Sequence, residues 1–224
     1  MENGIHAQYF NNTYHGDDAY LTRVLNPTSV LDAVFDGVST GIGSKASQLM
    51  VEKLKSKEIL NLGDIVELLK EANDELFKAT NGVSLTTATI ALKIDNQLCV
   101  LNVGDSPAYL LRYGGITELT TLDKGKNPEI ITHAVGEGKE FSYHINKVFL
   151  QPNDKLVLVT DGISDNIHPQ EIAEIVYKEN TPNGVVDKLD QLLKKKRASN
   201  SGRDDVFGRY KNDDTTSIIR YFLS

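Results

Sequence analysis

The sequence has few of the features that mark several large protein classes. Its single cysteine, Cys99, lies in an apolar stretch and cannot form an intrachain disulfide, so we expect a buried, inert thiol. The 24 Lys and Arg residues are outnumbered by 31 Asp and Glu, and the net charge of -7 disfavours nucleic acid as a partner. No apolar run approaches the roughly 18 residues of a membrane span, and the first residues lack the pattern of a secretion signal. These absences predict a soluble cytoplasmic protein that does not bind membranes.

Common catalytic signatures and domain linkers are missing too. The chain has no Gly-x-Ser-x-Gly elbow, no catalytic cysteine signature and none of the His-x-x-x-His or Cys-x-x-Cys spacings of zinc sites. No Pro-, Gly- or Ser-rich linker divides the 224 residues. We therefore expect residues 1–224 to form a single domain, and we expect a monomer.

Acidic residues stand at the ends of predicted strands. Asp36-Gly37 follows the apolar run 33–35, and Asp161-Gly162 follows a second run at 155–159. Each Asp-Gly pair alone is typical of a simple turn. Further acidic residues in similar positions are Asp17, Asp18, Asp105, Asp213 and Asp214. Clustered carboxylates repel one another unless a cation lies between them, and oxygen ligands select hard ions such as Mg²⁺ or Mn²⁺.

Hydrophobic periodicity predicts separate blocks of helices and strands. The clearest helix begins at Asp64, the predicted N-cap, and ends at Asn81-Gly82. Alternating residues predict a four-stranded meander over 87–120, and the stretches 5–10 and 19–25 are candidates to pair as strands. Because strands and helices do not alternate strictly, the pattern predicts an α+β architecture of antiparallel sheets covered by helices.

Six short segments follow one another in a fixed order along the chain. They are Gly16-Asp17-Asp18-Ala19, Val34-Phe35-Asp36-Gly37-Val38, Ser84-Leu85-Thr86-Thr87-Ala88, Asn102-Val103-Gly104-Asp105-Ser106, Thr160-Asp161-Gly162-Ile163-Ser164-Asp165 and Asp213-Asp214-Thr215-Thr216. Each motif is common by itself, whereas their order and spacing across nearly the whole chain is specific. This order resembles the metal-dependent protein Ser/Thr phosphatase family, type 2C (PPM), and is closest to its small single-domain branch.

The resemblance implies both a fold and an activity. The fold would be a sandwich of two antiparallel β-sheets flanked by α-helices. The activity would be Mg²⁺- or Mn²⁺-dependent hydrolysis of phosphoserine or phosphothreonine in a phosphorylated protein substrate. A hydroxide that bridges two metal ions roughly 4 Å apart would attack the phosphorus directly.

The resemblance also implies roles for individual residues. Asp36 would bridge the two ions, with the Gly37 carbonyl on one of them, while Asp161 and Asp213 would hold the other. These three aspartates are the expected catalytic residues. A shift of one residue in the last motif would exchange Asp213 and Asp214.

Further roles follow for the other acidic motifs. Asp17 and Asp18 match an early acidic pair that binds metal directly or through water. Asp105 matches a residue that helps to hold a weaker third ion in some family members.

The sequence departs from larger family members near the substrate. These members carry a phosphate-binding arginine just before the acidic pair, and residues 11–14 contain none. They also have a histidine, proposed as general acid, where Val38 stands. His15 and His133 are the candidates for substrate contact, the latter because it stands where a similar loop carries arginine.

Two alternatives remain open at this point. In a haloacid-dehalogenase-type phosphatase Asp36 would be a covalent nucleophile, but that chemistry needs an aspartate where Val38 stands. The chain could also be a catalytically weak, phosphatase-like binding or regulatory module. The intact set of acidic residues argues against that reading, because unpaired clustered acids are costly to keep.

Overall fold

Two five-stranded antiparallel sheets form the centre of the protein. The computed structural model describes residues 2–38, 43–126, 130–138, 141–199 and 212–223. The strands are β1 (Ile5–Asn11), β2 (Ala19–Asn26), β3 (Ser29–Phe35), β4 (Gly37–Val38), β5 (Leu85–Thr86), β6 (Ala88–Ile94), β7 (Gln97–Val103), β8 (Ala108–Arg112), β9 (Gly115–Glu118), β10 (His144–Phe149), β11 (Lys155–Val159) and β12 (Thr215–Tyr221). The helices are α1 (Gly43–Ser56), α2 (Leu62–Thr80), α3 (Asp161–Ser164), α4 (Pro169–Lys178) and α5 (Pro182–Ser199).

The strand order confirms the predicted sandwich. The first sheet runs β1-β12-β11-β8-β9, and the second runs β10-β7-β6-β3-β2. A separate two-stranded pair joins β4 to β5. Every pairing is antiparallel, and helices lie outside the sheets, as the α+β prediction requires. Among the described residues, none of the helices is both long and apolar enough to cross a membrane.

Alternation along the strands divides the hydrophobic core into three layers. Val34 and Ile218 point into the space between the two sheets. The neighbouring residue Phe35 points outward instead and packs with α1 and α2. Ile219 likewise points to the opposite face, where α4 and α5 cover the first sheet. Successive side chains of a strand face opposite sides, so a strand that is buried on both faces needs apolar residues at successive positions. This explains the continuous apolar runs in the sequence.

One buried ion pair joins the two sheets. Arg220 of β12 donates from Nε to Asp32 Oδ2 (2.5 Å) and from Nη2 to Asp32 Oδ1 (2.7 Å). Asp32 belongs to β3 of the other sheet and also accepts a hydrogen bond from the Thr22 hydroxyl. Both members of the pair are almost fully buried. A charge in such a place is tolerated only with its partner.

Three local predictions are wrong. Residues 5–10 pair with β12 and not with 19–25, because the intervening turn carries the chain from the first sheet to the second. The four strands of 87–120 do not form one meander, since β6 and β7 lie in the second sheet and β8 and β9 in the first. Helix α2 begins earlier than predicted: Asn61 is the N-cap, and Asp64 is the third helical residue, whose side chain accepts the Asn61 N–H.

Candidate metal centre

The acidic motifs meet at one end of the sandwich. β3 ends beside the start of β2, with Phe35 opposite Ala19, and β11 ends beside the start of β12, with Val159 opposite Ser217. The turn from β1 to β2 and the turn from β7 to β8 cross between the sheets at this same end. Carboxylates from distant parts of the sequence therefore share one rim, here called the acidic rim: Asp17, Asp18, Asp36, Asp105, Asp161, Asp165 and Asp213.

Asp36 is fixed in the acidic rim by its backbone. Its N–H donates to Thr87 Oγ1 (3.1 Å), and its carbonyl oxygen accepts the Thr87 N–H (2.8 Å) and the Thr86 hydroxyl (2.9 Å). The two threonines hold the end of β3 and leave the carboxylate to interact with its acidic neighbours. Burial, followed by the charges of Asp161 and Asp18, raises the pKa of Asp36 well above its ordinary value.

Asp18 links the two sheets. Its Oδ2 accepts hydrogen bonds from the hydroxyls of Thr160 (2.9 Å) and Thr216 (2.6 Å), which lie in the opposite sheet. Burial raises the pKa of Asp18 to about 8, and the charges of Asp161 and Asp214 act in the same direction. The two hydroxyl donors favour the ionised form but do not offset the loss of water.

Asp161 follows β11 and begins the short helix α3. Burial raises its pKa to about 7, with further contributions from the charges of Asp105 and Asp165. The next residue must be glycine, because a Cβ at Gly162 would lie 1.9 Å from the carbonyl oxygen of Asp214. The Asp-Gly signal in the sequence therefore reflects close backbone packing as well as a site residue.

Asp213 and Asp214 have different surroundings. The buried Asp214 carboxylate accepts the backbone N–H groups of residues 14–17, at 2.6 Å for Gly16 and 2.8 Å for Tyr14. Its oxygens thus anchor the turn that carries the early acidic pair. The Asp213 side chain is a quarter exposed, and its charge raises the pKa of Asp161. Asp213 Oδ1 accepts the Asp214 N–H (2.9 Å) and lies 3.7 Å from His15 Nε2.

Asp17 anchors the elements around Gly37. Its Oδ1 accepts the Ser44 N–H (2.9 Å) in the first turn of α1. Its carbonyl oxygen accepts the Gly37 N–H (3.2 Å) and the Ser47 hydroxyl (2.6 Å). Asp17 and Gly37 therefore lie together at the acidic rim.

Lys124 and Asp165 are site residues that the sequence does not predict. Lys124 Nζ lies 3.0 Å from Asp165 Oδ1 and 3.6 Å from Asp105 Oδ2. Burial raises the pKa of Asp105, although Lys124 partly opposes this. Burial also works to lower the pKa of Lys124, but the carboxylates of Asp165 and Asp105 outweigh it and raise that pKa overall. The four-residue spacing of Asp161 and Asp165 is a usable sequence signal, whereas Lys124 lies in a loop and gives none.

The two candidate substrate residues differ in their placement. His15 is half exposed, and its Nε2 lies 3.7 Å from Asp213 Oδ1, so it belongs to the acidic rim. His133 instead contacts Glu137, with 2.9 Å between Nδ1 and Oε1. The backbone of Val135 in the same segment pairs with Thr86, which holds Asp36 in the rim. The structure therefore brings His15 into contact with Asp213 of the rim, while the His133 ring contacts Glu137.

An arginine that the sequence does not predict to be a site residue also reaches the acidic rim. Arg197, near the end of α5, donates from Nη2 to the carbonyl oxygen of Asp213 (3.0 Å). Its guanidinium carbon lies 5.1 Å from the centre of the Tyr14 ring, which is within cation–π distance. Its Nε is buried and has no hydrogen-bond partner among the described residues. Arg197 thus sits beside residues 11–14, where the sequence lacks an arginine.

The donor set suits a hard divalent cation. It contains carboxylate oxygens and no thiolate, and the buried Asp105 Oδ1 lacks a hydrogen-bond partner within the part of the chain that the structure describes. The carboxylates face one another but are not gathered into a coordination cage: within the same residues, no three His, Cys, Asp or Glu side chains are close enough to form one. Like charges repel, so a cation among these carboxylates would stabilise their ionised forms.

Comparison with known proteins identifies the family. A family model described as "Stage II sporulation protein E (SpoIIE)" matches residues 27–208, which is more than half of the chain. The chain belongs to the SpoIIE group of the type 2C, metal-dependent (PPM) phosphatase family. The resemblance drawn from the motifs of this PPM-family chain is thereby confirmed.

Curated relatives of this PPM-family chain are named as phosphatases. "Probable protein phosphatase 2C 62" of Arabidopsis thaliana is 29% identical over 167 residues, covering 71% of this chain and 22% of the relative. "Protein phosphatase PhpP" of Streptococcus pneumoniae is 29% identical over 143 residues, which is 56% of each chain. The chain spans 22% to 61% of the length of the first curated relatives it matches.

Solved structures share the fold. The serine/threonine phosphatase PstP/Ppp of Mycobacterium tuberculosis superposes with a TM-score of 0.80 at 18% identity, over 98% of this chain and 99% of that one. A catalytic domain of PstP, solved in complex with two manganese ions, gives a TM-score of 0.78 at 20% identity over 98% of both chains. At these identities the likeness establishes the sandwich architecture alone.

Proposed function

We propose that this protein is a Mg²⁺- or Mn²⁺-dependent protein serine/threonine phosphatase that hydrolyses phosphomonoesters. The observation that carries the proposal is the acidic rim, where carboxylates from both sheets raise one another's pKa at one end of a PPM-type sandwich. The names of the curated relatives support the same activity. Buried, clustered carboxylates without a cation would destabilise the fold, so the arrangement points to bound cations.

The ligands proposed for the two ions are those that the family resemblance assigns to them: Asp17, Asp18, Asp36, the Gly37 carbonyl, Asp161 and Asp213. The resemblance assigns Asp105 to a weaker third ion. When bound, a pair of divalent ions supplies a water of lowered pKa and a charge that holds the phosphate. Thr86 and Thr87 orient Asp36, while the hydroxyls of Thr160 and Thr216 orient Asp18. Asp213 is proposed as the ligand over Asp214, because the Asp214 oxygens already accept backbone N–H groups.

Arg197 and His15 are proposed to contact the substrate phosphate. A guanidinium can hold phosphate oxygens with two parallel hydrogen bonds. Arg197 keeps donor groups beyond the one it gives to Asp213, and its contact with the Tyr14 ring orients it. His15 is exposed enough to meet a substrate next to Asp213. His133 remains a weaker proposal, since its ring is engaged with Glu137.

Neither alternative reading is favoured. Membership of the PPM family disfavours a haloacid-dehalogenase mechanism with Asp36 as nucleophile. A binding module without catalysis would not need the full acidic rim. We further propose a cytoplasmic, monomeric, single-domain enzyme for residues 1–224 that uses two ions, with a phosphorylated protein as substrate.

The test is metal-restored hydrolysis. Initial rates on p-nitrophenyl phosphate and a phosphothreonine peptide are measured after metal removal and after addition of Mn²⁺ or Mg²⁺. We expect hydrolysis only with metal, its loss in Asp36→Asn, and wild-type rates in the control Asp95→Asn, which changes an exposed turn residue. Near-normal rates in Asp36→Asn at saturating metal would refute the two-ion assignment. A folded wild-type protein without any hydrolysis would favour the binding module.

A further inference from the structure

Lys124 belongs to a segment that is tied to the corner between β7 and β8. The Asp123 N–H donates to the Gly104 carbonyl oxygen (3.0 Å), and the Gly104 N–H donates to Asp123 Oδ2 (2.9 Å). The other oxygen of Asp123 lies 2.9 Å from His144 Nε2 on β10. The backbone beside Lys124 is therefore anchored to two elements of the second sheet. The position of its ammonium group is therefore set by the fold.

The Lys124 ammonium lies between two carboxylates of the acidic rim. It is 3.0 Å from Asp165 Oδ1 and 3.6 Å from Asp105 Oδ2, and its side chain is only 24% exposed. Asp105 is almost fully buried. Without a cation between them, these carboxylates would repel each other in a place where water screens poorly. Among the residues that the structure describes, Lys124 places a positive charge at this corner of the rim.

We propose that the Lys124 ammonium takes the place of a third divalent cation beside Asp105, so that the metal centre binds two ions. This inference rests on the proposed metal-dependent function. A Mg²⁺ or Mn²⁺ ion needs carboxylate oxygens at about 2.1 Å. An ammonium group that is hydrogen-bonded to Asp165 and lies 3.6 Å from Asp105 Oδ2 occupies that space and repels a second cation. In such a site the Asp105 carboxylate keeps Lys124 as its charged neighbour at every metal concentration.

The proposal makes Lys124 a positioning residue. It holds Asp105 and Asp165 and leaves the reacting atoms to the groups around Asp36. The charge carried by Lys124, and not its packing, is what excludes the ion. Substitutions that remove the charge should therefore behave differently from one that keeps it.

The number of bound ions tests this assignment. Mn²⁺ binding to the full chain is measured by calorimetry and by equilibrium dialysis, both of which report stoichiometry without reference to activity. We expect about two ions per chain for the wild type, and about one more, weaker ion for Lys124→Ala. Lys124→Arg should remain at the wild-type number. Lys126→Ala is the matched control, since it removes an exposed lysine of the same segment.

The outcomes separate this inference from the proposed function. A third ion in the wild type, or an unchanged stoichiometry in Lys124→Ala with a folded protein, overturns the Lys124 assignment while leaving the phosphatase proposal intact. Should Lys124→Ala not fold, Lys124→Gln provides the same measurement with a side chain of similar length. A wild-type protein that binds no Mn²⁺ overturns both proposals.

Discussion

The buried acids of the rim should make the metal-free protein less stable as pH rises from 5 to 7. Burial raises the pKa of Asp161 to about 7 and that of Asp18 to about 8 in the folded state, whereas an unfolded chain ionises such groups near pH 4. Below pH 4 both states are protonated, so there is no effect. Between pH 4 and the folded pKa, only the unfolded state releases the proton, and each pH unit lowers the free energy of unfolding by about 1.4 kcal/mol per group.

The expected effect is large enough to measure. From pH 5 to 7 the ionisation of each carboxylate lowers the free energy of unfolding by about 2 kcal/mol. For a chain of this size, that lowers Tm by roughly 4 to 8 °C. The two groups interact, so their effects do not add fully. Burial lowers the pKa of His6, and this acts in the opposite direction by favouring the folded state as pH rises. The net slope should still be negative, because burial also raises the pKa values of Asp36 and Asp105, so that several rim acids oppose one histidine.

Thermal unfolding followed by circular dichroism, on protein stripped of metal with a chelating resin, measures this slope. Asp161→Asn should flatten it, because an amide does not titrate, while Asp95→Asn should leave it unchanged. Mn²⁺ at pH 7 should raise Tm by binding the ionised carboxylates of the folded state. A metal-free Tm that is constant or increases from pH 5 to 7 would refute the reasoning, as would an equal slope in Asp161→Asn.

Three further predictions concern single residues. Asp214→Ala should lower the free energy of unfolding by about 3 kcal/mol, because it leaves the backbone N–H groups of residues 14–17 without their acceptor. Asp213→Asn should weaken Mn²⁺ binding with little loss of stability, and equal stability losses of the two variants in urea would contradict the separate roles. Asp32→Ala should lower the free energy of unfolding by about 3 to 5 kcal/mol, because Arg220 is then buried without its carboxylate partner. A decrease of less than about 1 kcal/mol in urea unfolding would show that water reaches the guanidinium. Arg197→Ala should raise the inhibition constant of inorganic phosphate roughly tenfold, while kcat at saturating Mn²⁺ changes less than about threefold. If only the metal affinity changed, Arg197 would position Asp213 and would not bind phosphate.

The acidic motifs could be found from sequence because each is local. Asp36-Gly37 and Asp161-Gly162 follow apolar strands, and alternation of side chains is readable over five to seven residues. Strand pairing was harder to predict, since β1 finds its partner β12 about 200 residues away. No local pattern distinguishes that pairing from one with the adjacent β2. The helix cap was missed by three residues because Asn61 and Asp64 are both good capping residues.

The sequence by itself determined the family, the α+β sandwich and the set of carboxylates, because these depend on the order of short motifs and on strand and helix periodicity. Only the tertiary structure decided which side chains meet. It separated Asp213 from Asp214 through backbone contacts to residues 14–17, and it brought Lys124 and Arg197 to the acidic rim. Charges on loops and helix ends carry no periodic signal, so their neighbours are set by how the two sheets pack and where the chain crosses between them.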